Sequence, residues 1–535
     1  MTCEISITLT PDEENDDAKI NAEIKKALVQ QKVETSGQKI TPVFIKKSID
    51  ARRSQIKLLM RYKVYIGEEP EDDFSPSLNW KHAESKHKVI IVGSGPAGLY
   101  AAFRLFEEGI KPIIIERGNP TKLRAKNIKE LETEGFLDED SNFCFGSGGA
   151  GTFSDGKLYT RSNKRGDIYK IYKIFVEFGA PPNILTDAHP HIGTDKLPEI
   201  IDAMEKKIVE LGGEIHFNTL CTDLITEKKY SLKAVGVKTK NLETGKEGEI
   251  FADAIILATG HSAEDIYKML AKIEPSALEA KTFAVGVRVE HPRNIIDDIQ
   301  FHGQQMPQAA EYRLTAQIEG RGVYSFCMCP GGYVVPCATK KDQIVVNGMS
   351  SSGRNSKWSN AAIVTERRPE DIPQSFVDEA TANGCPALAG LYWRTWLENL
   401  TFKNGNGQFA PAQRLTDFLN ETDSKTLPET SYRPGVVSSR LDKWLPKDIK
   451  NRLQEAFREF NQSMKGFICD EALLIASETR TSTPVRILRD KQTLECTKIK
   501  SLYPCGEGSG YSGGIGSSAM DGEKVASAVI NSLKK

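Results

Sequence analysis

Residues 88–117 read KVIIVGSGPAGLYAAFRLFEEGIKPIIIER, and no other stretch limits the fold so strongly. An apolar run ends in Gly-x-Gly-x-x-Gly, a helix-forming run follows, and a second apolar run closes on an acid. Strand, tight turn, helix and parallel strand make a βαβ unit of about 30 residues. Gly93 permits the turn, Gly95 lets backbone approach a pyrophosphate, and Gly98 lets helix and strand pack closely. Pro96 and Ala97 open the helix, whose free N–H groups and positive dipole end suit phosphate. Glu116, with Arg117 beside it, stands where a carboxylate bonds adenosine ribose hydroxyls. The unit predicts dinucleotide binding, and its glycines alone leave NAD and FAD both open.

Two later segments bear on that choice. IILATGH (residues 255–261) is an apolar strand ending at Thr259 and Gly260, and YPCGEGSGYSGGIGSSAMDGEKVASAVI (503–530) packs glycines ahead of a helix. Together with these, FCFGSGGAGTFSDGKL, HPHIGTDKL, FAVGVRVEHP, YSFCMCPGG, APAQRLTDF and ETRTSTPVRILRD resemble the motif set of a bacterial family of FAD-dependent dehydrogenases. That family lies within the glutathione reductase-like superfamily of two-dinucleotide-fold flavoproteins. The resemblance spreads over most of residues 88–535, and SIDAR in the N-terminal unit matches as well. It implies FAD, with Gly93, Gly95, Gly98 and Glu116 at the ADP half and Thr259 and Gly260 flanking it. It further implies Gly506 and Glu507 near the ribitol or pyrophosphate. Gly513, Gly514 and Ile515 would open a helix toward the flavin N1/O2 edge, where reduction places negative charge. Flavin potential is then expected to respond to substitution at Gly514.

The expected fold is α/β. A Rossmann-like FAD/NAD(P)-binding domain is built from discontinuous segments, 86–262 and 480–535. An inserted substrate domain of mixed sheet and helices spans 263–479, and a small ferredoxin-like α+β unit spans 1–85, ending in the acidic linker GEEPEDDFSPSL. With 71 basic and 72 acidic residues, the chain has no global field for nucleic acid or anionic membrane. An N-terminus without a basic start or apolar run, and ten cysteines without CxxC spacing, fit a cytoplasmic protein without disulfides or metal.

Gly148, Gly149 and Gly151 suit a second loop against the cofactor, with Lys157 as a phosphate contact; the spacing does not fit a P-loop. Cys327 and Cys329 read either as a redox dithiol or as buried thiols. Arg480 and Arg486 read either as clamps for a substrate carboxylate or flavin charge, or as partners of Glu478 and Asp490. His189 and His191 are polar loop positions, and His261 caps a strand end. Expected function is hydride transfer between FAD and a small organic substrate, with NAD(P)H or a separate donor as reductant. The alternative is a flavoprotein acting on a macromolecule such as RNA through the basic run of Lys46, Lys47, Arg52, Arg53, Lys57, Arg61 and Lys63.

Overall fold

The computed structural model describes residues 1–35, 37–53, 55–70, 78–160 and 166–534. The expected linker at 67–78 thus falls mostly outside the described residues.

At the centre lies a five-stranded parallel sheet in the order Leu502–Pro504, Ala254–Leu257, Lys88–Val92, Lys111–Ile115, Glu214–His216. Its strands are apolar on both faces because both faces are covered. Val89, Ile91, Ile114 and Ile256 point toward helices Pro96–Phe106 and Ile515–Leu533. Ile90, Val92, Ile113 and Ile255 point the other way, onto Cys221, Leu224 and Val237 of a three-stranded antiparallel sheet. The helices cross so closely that a Cβ at Gly522 would sit 2.1 Å from the Ala97 carbonyl oxygen. Residues 502–533 therefore supply an edge strand and a covering helix to a sheet begun at residue 88.

Between these segments the chain builds a seven-stranded sheet, in the order Thr315–Ile318, Arg321–Cys329, Trp358–Arg367, Phe283–Pro292, Leu473–Glu478, Ala410–Arg414, Val436–Ser438. All its pairs are antiparallel except the last, which is parallel. Val285, Val287, Val289 and Leu474 pack on Trp393, Leu397, Leu453 and Phe457 of helices Ala389–Asn404 and Lys447–Ser463. This is the expected mixed sheet with helices. Alternation puts Arg288 on the opposite face, and the register shift between Gly286 and Val287 brings Glu478 to it, where the two pair at 3.1 Å, fully buried.

The N-terminal unit is simpler than the ferredoxin plan. Its described residues hold one α-helix, Asp17–Gln30, a short 3-10 helix, Pro11–Glu13, and three antiparallel strands, Thr2–Leu9, Lys57–Ile66 and Ile40–Asp50. Ile24 and Leu28 bury the helix against Ile5, Ile7, Leu58 and Val64.

Candidate functional site

The two glycine segments and the strand end at Thr259 converge on one cavity of about 350 Å³. Gly93 has φ +105°, and a Cβ there would lie 2.4 Å from the Ala258 carbonyl oxygen. Adjacent strand ends thus touch through bare backbone. A Cβ at Gly98 would meet the Gly93 oxygen at 2.0 Å, so the helix starts directly beneath the turn. Gly149 fits against Gly95, where its Cβ would approach the Gly95 Cα to 2.9 Å. The N-termini of helices Pro96–Phe106 and Ile515–Leu533 both open on the cavity. Their first N–H groups lack intrahelical partners, which makes both ends suited to an anion.

Among the residues expected from the sequence, Gly93, Gly95, Pro96, Ala97, Glu116, Arg117, Gly149, Gly151 and Lys157 line this cavity. So do Thr259, Gly260, Glu507, Gly513, Gly514 and Ile515. Gly98, Gly148 and Gly506 stand behind the wall: Cβ atoms at the last two would strike Thr152 Oγ1 at 2.1 Å and the Ala97 Cβ at 2.9 Å. Glu116 ties the turns together. One carboxylate oxygen accepts from Ser94 N and Oγ at 3.0 and 2.9 Å, the other from Gly118 N and Gly146 N at 3.0 and 2.9 Å.

A family profile described as FAD-dependent protein, C-terminal domain-like, matches residues 282–481. One described as pyridine nucleotide-disulphide oxidoreductase matches 87–267, and a domain of unknown function matches 1–65. An uncharacterised protein of Clostridium beijerinckii is 38% identical over 509 residues, which is 91% of each chain. The chain belongs to the FAD-dependent oxidoreductase family. Among solved structures, a geranylgeranyl bacteriochlorophyll reductase-like protein of Thermoplasma acidophilum is 11% identical, with TM-score 0.35 over 84% of this chain and 79% of that one. A glycerol-3-phosphate dehydrogenase of Bacillus halodurans complexed with FAD is 12% identical, with TM-score 0.27 over 54% of this chain and 49% of that one.

The cofactor of this FAD-dependent oxidoreductase is FAD, and the cavity suits it. Its walls at Gly260, Gly513 and Gly514 are bare, since a Cβ at any of them would meet nothing within 4 Å. An acid at a strand end and two helix N-termini match a ribose and a pyrophosphate. Glu507 adds a neutral group. Burial, then the nearby Cys327 sulfur, pushes its carboxyl up to about 8, against the pull of Lys281. The folded protein therefore holds a proton that the unfolded chain releases above its ordinary 4.5. This contribution to stability is full below pH 4.5 and is lost as pH rises to about 8. Glu507→Gln is expected to flatten the fall in melting temperature between about pH 5 and pH 8. Calorimetry of FAD-free protein checks this, and an unchanged fall refutes the protonated Glu507.

Elsewhere the oxidoreductase departs from the sequence expectations. Lys157 lines the cavity, but its ammonium donates to the Met328 carbonyl and pairs with Asp155 at 3.6 Å, beside Cys327 and away from the glycine turns. Arg117 pairs with Asp265 and lies 4.4 Å over the Phe145 ring. Arg480 is 2% exposed and borders the cavity, with its guanidinium engaged. It donates to both Glu398 oxygens at 3.0 and 2.8 Å, to Thr339 at 2.8 Å and to Gln343 at 3.2 Å. Neither expected partner is used, because Glu478 takes Arg288 and Asp490 caps its own turn at Gln492 and Thr493. Arg486 lies outside the cavity, 2.5 Å from Glu279 and over Tyr511.

Cys327 borders the cavity at a bulge, with φ +43° and a register shift between Phe326 and Cys329. That shift breaks the strand alternation expected for a CxC pair. Cys329, Lys157 and Arg288 draw the Cys327 thiol down to about 6 against its burial. Cys329 lies off the cavity and donates to the Cys327 carbonyl at 3.3 Å. His261 is neutral, its imidazole forced down to about 3 by burial and by Arg394 and Arg480. His189 faces Glu311 at 3.4 Å, and His191 contacts the Ser352 carbonyl at 3.2 Å. Among the described residues no group of three His, Cys, Asp or Glu side chains is placed to hold a metal, and no helix is long and apolar enough to cross a membrane.

Three of the seven residues of the basic N-terminal run pair with acids of their own unit: Lys47 with Glu14 at 2.6 Å, Arg52 with Asp50 at 2.6 Å, and Arg61 with Glu4 at 3.3 Å. These pairs weaken its case as an RNA surface. Sequence reasoning missed Ser94, Cys144, Asp155 and Glu398, none of which sits in a motif that marks its partner.

Proposed function

We propose that this oxidoreductase is a glutathione reductase-like, two-dinucleotide-fold flavoprotein that moves a hydride between FAD and a small organic substrate. One observation carries the reading: the cavity walled by both glycine segments is also lined by Phe326, Cys327 and Asn347 from the region of the seven-stranded sheet. Cofactor and substrate would then meet at the junction of two units, where such sites usually form. The division we propose places cofactor segments at 86–262 and 480–535, the substrate unit at 263–479 and a separate unit at 1–85. A cytosolic location fits ten reduced cysteines.

When bound, FAD supplies two-electron chemistry that side chains cannot. Gly93, Gly95 and Glu116 would hold its adenosine half. The helix beginning at Ile515 would stabilise negative charge on the ring by its N–H groups and dipole. Asp155 is the candidate for orienting substrate. Its Oδ1 is buried without a hydrogen-bond partner, while Oδ2 takes Arg354 at 3.0 Å. Burial would raise this carboxyl, but Lys157 and Arg354 more than offset that and hold it below its ordinary value. It therefore acts as an acceptor, which favours a substrate carrying a hydroxyl or ammonium.

Anaerobic mixing of the flavin-loaded protein with NADH, NADPH, amino acids and 2-hydroxy acids tests the proposal. At least one is expected to bleach the flavin band near 450 nm. Bleaching by dithionite alone would remove the small-substrate reading and leave a separate protein donor.

A further inference from the structure

The loop leading into Gly146 and the chain just beyond strand Tyr333–Pro336 meet at two cysteines. Cys144 and Cys337 are 193 residues apart in sequence, yet their sulfurs lie 3.4 Å apart and both side chains are buried. Cys144 also lies 3.5 Å from the Cys337 carbonyl oxygen. Cys144 borders the cofactor cavity, whereas Cys337 stands behind it. A disulfide requires sulfurs at about 2.05 Å, so the pair must close by about 1.4 Å.

We propose that Cys144 and Cys337 form an oxidisable dithiol site, converted to a disulfide by a peroxide that enters through the cavity. The Cys144 thiolate attacks one peroxide oxygen. The O–O bond breaks, leaving a sulfenic acid on Cys144 and a hydroxide that takes the Cys337 proton and becomes water. The Cys337 thiolate then attacks the sulfenic sulfur. The S–S bond forms, and the departing hydroxide takes up the proton released when Cys144 ionised. Two thiols and one hydrogen peroxide become one disulfide and two waters, with two electrons passing from sulfur to oxygen.

The surroundings assign the roles. The Cys337 S–H, then Arg480, Ser262 and Arg124, draw the Cys144 thiol down to about 6 despite its burial. That same contact, with burial, holds the Cys337 thiol up, so it keeps its proton until hydroxide is at hand. The lower thiol is the one open to the cavity, and the upper one resolves it. Cys327 and Cys329 share one strand, and Cys329 is turned to a carbonyl, so they serve as the internal comparison. Closure would staple the loop entering the second glycine segment to the region beyond residue 283, whichever substrate the enzyme takes.

The test treats flavin-loaded, full-length protein with one equivalent of hydrogen peroxide, then unfolds it in acid with an alkylating agent. The linked peptides are sequenced by tandem mass spectrometry. The expected result is a Cys144–Cys337 peptide, loss of two of the ten titratable thiols, and Cys327 and Cys329 still alkylated. In Cys337→Ser the link disappears and Cys144 stops at sulfenic acid, captured with dimedone before unfolding. The proposal is overturned if wild-type Cys144 and Cys337 are both alkylated after peroxide, or if the bond formed joins Cys327 to Cys329. The wild-type measurement stands whether or not the variant folds.

Discussion

Gly93→Ala is expected to emerge from purification with little of its yellow colour. A side chain at φ +105° costs about 1–3 kcal/mol in backbone strain alone. The new methyl would also lie 2.4 Å from the Ala258 carbonyl oxygen, which is the backbone of a neighbouring strand end and has nowhere to go. If about 2–3 kcal/mol of this falls on the cofactor-binding turn, FAD affinity drops roughly 30–140-fold. Flavin absorbance per chain reports it directly. Gly353→Ala is the control, since its Cβ meets nothing closer than 3.7 Å and its φ is ordinary. A Gly93→Ala protein with a full flavin complement would mean that the turn is not built as described.

The largest loss of stability is expected at Glu398. Its carboxylate is fully buried, accepts from Arg480 and, at 2.7 Å, from Thr479, and forms an ion pair with Arg394 at 3.6 Å. Burial opposes its ionisation, yet Arg480 and Arg394 outweigh that and hold it below the ordinary value. Glu398→Ala would leave the buried Arg480 with no carboxylate and Arg394 with Glu264 alone at 3.2 Å, and Arg394 already has Nε and Nη1 without hydrogen-bond partners. Removing one member of such a cluster costs about 3–5 kcal/mol. Urea unfolding followed by circular dichroism measures it. Glu398→Gln keeps the shape and some hydrogen bonds but not the charge, so its midpoint belongs between wild type and Ala. A midpoint for Glu398→Ala equal to that of wild type would refute the cluster's structural role.

What could be read from sequence depends on range. The βαβ unit at 88–117 is local: its apolar runs, glycine spacing and terminal acid lie within one supersecondary motif. The late glycine segment was readable for the same reason, because backbone that must approach a ligand advertises itself by lacking side chains. Arg480 shows the limit. Its partner Glu398 lies on a helix 82 residues earlier, and no spacing rule connects them. Strand pairing has the same character: Phe283–Pro292 joins Leu473–Glu478 across the whole insertion. Cys327 fails differently. A CxC on a regular strand projects both thiols to one side, and the bulge that undoes this arises from pairing with Trp358–Arg367, not from the local sequence. In the N-terminal unit the alternating runs mark the three strands, while the ferredoxin-like label calls for more elements than the described residues hold.

The placement of residues 502–533 has a consequence for biosynthesis. During translation, the sheet begun at Lys88 waits with one edge unpaired and helix Pro96–Phe106 half uncovered until the segments after 283–478 have been made. Over that interval a nascent chain has no complete cradle and offers an apolar edge to chaperones or to neighbouring chains. Products truncated before residue 502 lack the edge strand Leu502–Pro504 and the helix whose first residue, Ile515, lines the cavity. With FAD in the proposed place, its binding would stabilise only those molecules whose late segment has come home.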